Sequence, residues 1–385
     1  MIIAHVFHTF WPVLGGVERA MQRICEELVR LGHGVHVITS TYGVDDRPRY
    51  EEVKGIHIHR VKAWTLHFPD LTIPRKIPED VLKKADIIHG WSQNSYFTYS
   101  ICREAKKLSK PIVTYFLGVD YLEHHYNPLI RLIGYSYQKW VTQKVVKITD
   151  LAIATNEYER KLLKEKYGID TVVLPHGIDE MYLKLPNMAK HFRRKYGIKG
   201  RIIAYIGRIH LTKGLDLLIR ACAKVAKQVS DTIVVIAGKG DKKYLKKCLE
   251  LAKKLGVSNR VKYIGYVSEE DKIALIDAAE IVVLPSRHVG ESFPLIIYEV
   301  KSRKTPIIVT AAGMLKYHIK QGFDGLITPV GDVDVLAKAI TQLLVDTDLQ
   351  TRIRSNLANE YEQIKSWHEV TLQMLRIYED VAKYR

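Results

Sequence analysis

Short β-branched runs alternate with longer helical stretches along this chain, and midway the alternation starts afresh. In the first half the runs fall at residues 2–7, 34–39, 56–60, 87–89, 112–116, 151–155 and 171–174. Helical spacing fills several of the gaps; residues 17–31 form a clear case, ended by Gly32. Strands at 201–206, 232–238, 261–265, 281–284, 306–309 and 325–328 make a second series, with helices at 215–228 and 242–255. Such alternation marks α/β units on parallel sheets. The change of series falls in a stretch punctuated by Gly and Pro, 175–186. The pattern predicts two Rossmann-like, doubly wound α/β domains, 1–180 and 181–364. An amphipathic helix at 367–384, within a closing segment 365–385, follows the second sheet. Ligands of doubly wound sheets bind beyond the carboxyl ends of the strands. Two such domains are expected to face each other across a cleft.

A length of 385 residues suits two hydrophobic cores better than one. No stretch approaches the roughly 20 apolar residues that cross a bilayer. The N-terminus has no basic region and no long apolar run of a signal peptide, so the expected location is the cytoplasm. The four cysteines, Cys25, Cys102, Cys222 and Cys248, form no CxxC pair and lack zinc-ligand spacing, which suggests buried thiols on helices. The formal charge is +17 and uneven: residues 1–180 hold 24 Lys+Arg and 21 Asp+Glu, residues 181–385 hold 35 and 21. The excess favours anionic partners without choosing among phosphates, nucleic acid and lipid.

Three places carry candidate chemistry. The first strand leads through Thr9 and Trp11 to Gly15-Gly16-Val17-Glu18. Paired glycines before a helix let backbone N–H groups approach a phosphate, although the spacing is not that of the dinucleotide fingerprint. A plain tight turn would also use them. The second series opens with a strand ending in Gly207-Arg208, then Lys213-Gly214 and a helix. Arg presents a planar fork to phosphate oxygens and Lys a point charge, and together they can offset the charge on a departing diphosphate. The third place is Pro285-Ser286, then Glu291-Ser292-Phe293-Pro294-Leu295 and Glu299. Spacing alone says little, since Glu18/Glu26 and Glu157/Glu165 share it. Placement after a strand end and at a helix start distinguishes Glu291 and Glu299. At about 1.5 Å per helical residue, the two carboxylates would hold different hydroxyl-bearing parts of a long ligand. The amides near Phe293 and Leu295 could receive a phosphate. Asp332-Val333-Asp334 reads as a helix N-cap rather than a metal site.

The GGVE turn, the GR…KG loop and the PS…ESFPL…E block stand in one order at long separations. Together they resemble the retaining glycosyltransferases of family 4, which share the two-lobed GT-B fold, and the likeness spans nearly the whole chain. Asp86–His89 resembles a strand end of that family, Leu174–Asp179 its interdomain segment, and Ser366-Trp367 the start of its closing helix. The resemblance implies transfer of a hexose, of mannose or glucose type, from a UDP- or GDP-sugar to a lipid-linked or soluble glycan. It also implies that configuration is kept and that no metal or other cofactor is needed. It implies catalytic roles for Arg208, Lys213 and Glu291. It implies donor contacts at Gly15, Gly16, Gly207, Phe293, Leu295 and Glu299, the last on the ribose hydroxyls. Three departures stand out. Leu117 precedes Gly118-Val119-Asp120 where relatives often have His, which turns attention to Asp120, His124 and His125 on the acceptor side. Four residues separate Ser286 from Glu291, more than usual. Lys304 replaces a common Gly.

Within 128–148, Leu129, Leu132, Ile133, Tyr137, Trp140, Val141 and Val145 recur at helical spacing, with Arg131, Lys139 and Lys147 off the stripe. A stripe of this kind is commonly core; a basic amphipathic helix can also dock peripherally on anionic lipid at the inner face of the membrane. Other readings are a nucleotide-sugar 2-epimerase of the same layout, a silent scaffold, and a basic nucleic-acid-binding protein. No recognition module supports nucleic acid as a partner.

Overall fold

The computed structural model describes residues 1–13, 15–66, 71–124, 127–288, 290 and 293–383. The chain forms two compact units: Met1–Gly177 with Lys365–Arg385, and Ile178–Ile364.

The first unit carries β1 (Ile2–Val6), β2 (Gly34–Ser40), β3 (Tyr50–Val53), β4 (Ile56–Val61), β5 (Ala63–Leu66), β6 (Leu71–Pro74), β7 (Ile87–Trp91), β8 (Ile112–Phe116), β9 (Leu151–Ala154) and β10 (Thr171–Val173). Eight of them make one sheet, ordered β10-β9-β8-β7-β1-β2-β4-β3. Its neighbours are parallel except β3, which runs antiparallel to β4 with Tyr50 opposite His59. β5 and β6 pair by themselves. The pattern did not foretell β3, β5 or β6, which are short; every second residue of β3 and of β5 is exposed. Strand order reverses between β1 and β7, where Val6 lies opposite Gly90.

The second unit carries β11 (Arg201–Ile206), β12 (Thr232–Ala237), β13 (Val261–Gly265), β14 (Ala279–Leu284), β15 (Ile307–Thr310) and β16 (Leu326–Thr328), ordered β13-β12-β11-β14-β15-β16 and all parallel. Successive residues of β11 serve opposite faces. Ile203 and Tyr205 pack with helices Leu215–Val225 and Val333–Val345, while Ile202, Ala204 and Ile206 pack with Glu269–Ala278 and Leu295–Ser302. Apolar strands covered on both faces are what a parallel sheet requires. Here the order reverses between β11 and β14.

Helix Trp367–Lys383 belongs to the first unit. It packs on helix Gly16–Arg30 and buries Trp367, Val370, Met374 and Tyr378. The Tyr378 hydroxyl meets His89 Nδ1 at 2.5 Å. The four cysteines are buried and unpaired, and Asp332 caps its helix by accepting from Val335 N at 2.9 Å.

Helix Pro128–Ile148 revises the core reading of its stripe. Asn127 caps it, and it buries Gly134, Gln138, Val141, Thr142 and Val145. Leu129, Leu132, Ile133 and Trp140 are instead 69%, 69%, 61% and 45% exposed. Among the described residues no helix is long and apolar enough to cross a membrane.

Candidate active site

The place where strand order reverses is the ligand crevice of a doubly wound sheet, because the loops leaving the two central strands part there. In the second unit those loops are 207–214, after β11, and the one that begins at Pro285, after β14. Arg208 and Lys213 sit near the two ends of the first loop; Arg208 is exposed and Lys213 half-buried. The loop is fixed by close backbone approaches. A Cβ on Gly214, which has φ +70, would lie 1.9 Å from the Pro285 carbonyl oxygen. A Cβ on Gly238 would lie 1.9 Å from the Gly207 oxygen, and one on Gly240 would lie 2.2 Å from the Ile209 oxygen. Gly207 itself has open space where a Cβ would stand. The glycine requirement therefore belongs to Gly214, Gly238 and Gly240, which pin the cation-bearing loop between its neighbours.

Polar bonds complete the clamp. Thr212 O accepts from Ser286 Oγ at 3.2 Å and from Arg287 N at 2.6 Å. Tyr205 Oη donates to Arg208 O at 2.9 Å. Arg287 forks onto Asp216 through two bonds of 2.8 Å, and Tyr244 Oη also donates to Asp216. Burial pushes the Asp216 carboxyl up, but the bonds from Arg287 and Tyr244 outweigh it and hold the group below the usual carboxylate range. Asp216 and Arg287 went unnoticed in the sequence. They lie 71 positions apart, and no local spacing announces such a pair.

Helix Leu295–Ser302 starts after Pro294 with no side-chain cap. Its first-turn amides are backbone donors of the kind that bind anions. Phe293 is buried, stacked on Tyr298 at 4.5 Å and edge-on to His318 at 5.2 Å, so its ring is packed against the helix that follows it. Glu299 is only 3% exposed. Its Oε2 lies 3.0 Å from Lys272 Nζ, an ion pair the sequence reading missed. Glu291 lies outside the described residues.

In the first unit, Gly15 is the N-cap of helix Gly16–Arg30 and makes no side-chain cap bond. Gly15 and Gly16 are both exposed. A Cβ on Gly15 would meet Glu18 Oε2 at 2.1 Å, whereas one on Gly16 would meet nothing within 4 Å. Glu18 is turned back over the cap and accepts from Thr9 Oγ1 at 2.6 Å. At the same reversal point His8 Nδ1 lies 3.1 Å from Ser95 Oγ. Neither residue was singled out in the sequence, though His8 follows the first strand closely.

The structure does not support Asp120 as an acceptor contact. It is 3% exposed, accepts from Tyr167 Oη at 2.6 Å and pairs with Lys166 Nζ at 3.0 Å. The turn before it is locked too, Leu117 N donating to Gln93 Oε1 and Gly118 N to Glu159 Oε1. Of His124 only the backbone is described, in the 3₁₀ segment Tyr121–His124. The His124 side chain and the whole of His125 lie outside the described residues.

Two doubly wound units in one chain, each with its own mostly parallel sheet, are the architecture of the GT-B fold. Known proteins agree. The family "Glycosyl transferases group 1" matches residues 188–360, and "Glycosyltransferase Family 4" matches residues 14–181. An uncharacterized glycosyltransferase of Methanocaldococcus jannaschii is 26% identical, covering 98% of each chain. The mannosylfructose-phosphate synthase of Agrobacterium fabrum is 23% identical, over 98% of this chain and 90% of the other. Among solved structures, Anabaena HepE in complex with UDP superposes with a TM-score of 0.78 at 18% identity, covering 99% of this chain and 100% of that one. The chain belongs to the group 1 glycosyltransferases of family 4.

Proposed function

We propose that the protein transfers a hexose, of mannose or glucose type, from a UDP- or GDP-sugar to a lipid-linked or soluble glycan, keeping the anomeric configuration without a metal. The carrying observation is the pair Arg208 and Lys213 on one loop, pinned by glycine contacts where the second sheet reverses. A diphosphate leaving group gains negative charge as the sugar departs. Two preorganised cations stabilise that charge without reorganising, usually the largest catalytic term. The Arg208 guanidinium binds phosphate oxygens and the Lys213 ammonium adds a point charge. The first-turn amides after Phe293, at Leu295, assist. The acceptor oxygen bonds to the anomeric carbon on the face the phosphate leaves, and that phosphate takes the acceptor proton.

In this reading residues 181–364 bind the donor, 1–180 the acceptor, and 365–385 close back on the first unit. Glu291 orients the sugar. Glu299 accepts from the ribose hydroxyls, at the oxygen Lys272 does not hold. The exposed glycines Gly15 and Gly16, at an uncapped helix start, receive an anionic group. HepE was solved with UDP, and mannosylfructose-phosphate synthase is named for a sugar-phosphate product; both names favour a nucleotide donor and a glycan-type acceptor. The exposed apolar face of helix Pro128–Ile148 favours peripheral contact with an anionic membrane, and hence the lipid-linked acceptor.

The test begins with thermal shifts against UDP-, GDP- and ADP-sugars, since a ligand that binds only the folded state raises its melting temperature. With the donor known, Arg208→Ala is expected to lower kcat/KM by roughly 100-fold or more, with melting temperature unchanged. Glu299→Ala should chiefly raise the donor KM. Near-normal kcat/KM in both variants would remove this site assignment. Release of free nucleoside diphosphate with glycan present separates transfer from 2-epimerisation.

A further inference from the structure

We infer that Lys272 is a positioning residue for the donor nucleotide, acting through Glu299. The inference rests on the ribose role proposed above for Glu299.

Helix Glu269–Ala278 is covered on nearly every side; Ile273, Ala274, Leu275, Ile276 and Ala278 are all buried. A lysine in such a helix must place its ammonium among polar partners, because an unpaired buried charge is strongly disfavoured. Lys272, 9% exposed, does so. Its Nζ lies 3.0 Å from Glu299 Oε2 and 2.9 Å from Glu269 Oε2, and sits 5.2 Å from the centroid of the Tyr182 ring. Tyr182 Oη donates to Glu269 Oε2 at 2.6 Å. The ammonium is therefore held from three directions, and it in turn holds one oxygen of Glu299.

A carboxylate has about four acceptor positions on its two oxygens. Anchoring Oε2 fixes the rotation of the Glu299 carboxylate and so aims Oε1. A diol such as the ribose 2′- and 3′-hydroxyls needs that aim, because hydrogen bonds weaken steeply with angle. Lys272 touches no substrate in this arrangement. Its effect on the donor passes through Glu299 alone.

The experiment measures dissociation constants of UDP against 2′-deoxy-UDP, and of GDP against 2′-deoxy-GDP, for wild type, Lys272→Met and Lys272→Arg. Melting temperatures are recorded beside them. Wild type is expected to prefer the ribonucleotide by about 10-fold or more, as for a hydrogen bond to a charged group. Lys272→Met should reduce that preference to within about twofold, and Lys272→Arg should restore most of it. If Lys272→Met loses stability but keeps the full preference, the inference is overturned and the Glu299 assignment stands. If wild type shows no preference for either ribonucleotide, the Glu299 assignment falls and takes the inference with it. Should Lys272→Met not fold, the doubly neutral Lys272→Met/Glu299→Gln chain avoids the unpaired buried charge and is compared with Glu299→Gln alone. Equal preferences in those two support action through Glu299; a further drop in the double variant overturns it.

Discussion

His5 and His89 lie on adjacent central strands with ring centroids 5.0 Å apart, both wholly buried. Trp91 Nε1 donates to His5 Nδ1 at 3.0 Å, so that nitrogen carries no proton. Burial lowers His5 from 6.5 to about 3 and lowers His89 far below its ordinary value, the His5 charge adding to the effect. The unfolded chain takes up protons on these rings below about pH 6.5, while the folded chain does not. Stability is thus complete above that value and lost as the pH falls toward the folded value. Each ring should cost about 1.4 kcal/mol by pH 5.5. His36 and His59 shift in the same direction, and Glu159, raised by burial, works in the opposite one. Comparing His5→Gln with wild type isolates one ring. The variant's unfolding free energy should fall less between pH 7.5 and 5.5, by about 1.4 kcal/mol. An equal fall in unfolding free energy for variant and wild type, taken from denaturant titrations at the two pH values, would contradict the assignment.

Helix Pro128–Ile148 is where an element's environment mattered more than its pattern. Its apolar residues recur at helical spacing, but the core takes up only Val141 and Val145 of the strong ones, together with the polar Gln138 and Thr142. Periodicity reveals that a helix has an apolar face, not what covers it. The same limit explains Lys272 and Glu299, 27 residues apart, and Asp120, a turn residue whose partners Tyr167 and Lys166 come from helix Glu157–Tyr167. By contrast, the Gly207–Gly214 loop and the Asp332 cap were readable, because strand ends, glycines and caps are local. The exposed face bears Leu129, Leu132, Ile133 and Trp140, and the helix carries Arg131, Lys139, Lys144 and Lys147 with no acidic residue. Lys144 Nζ stands 5.6 Å from the Trp140 ring centroid. Apolar area with cations and without acids suits an anionic lipid surface. Leu132→Ser/Ile133→Ser should weaken flotation with phosphatidylglycerol vesicles by about 10-fold or more. Melting temperature should hold, since both side chains are exposed. Equal flotation of variant and wild type, or none by wild type at low salt, would remove the proposal of membrane contact.

The chain passes between its two units twice, at Gly177/Ile178 and at Ile364/Lys365. Each unit has its own buried clusters, so each should answer separately to damage. Ending the chain after Ile364 takes Trp367, Val370, Met374, Leu375 and Tyr378 from the first unit and no residue from the second. It also strips His176 of its ring contact with Trp367 at 5.8 Å and leaves His89 without the Tyr378 hydroxyl. At about 1.5–3 kcal/mol for each large side chain removed from a core, the loss is on the order of 10 kcal/mol. A whole domain has only about 5–15 kcal/mol of stability. The truncated protein should therefore lose protection from hydrogen exchange across β1, β7 and β8, while β11, β12 and β14 stay protected at near wild-type rates. A nucleoside diphosphate that stabilises the intact chain should still slow exchange around 207–214 in the truncated one, because the contacts described above for that loop, with Pro285, Ser286, Arg287, Gly238 and Gly240, lie within 178–364. Equal loss of protection in both units would mean that the second sheet depends on the closing helix, contrary to the contacts that divide the chain.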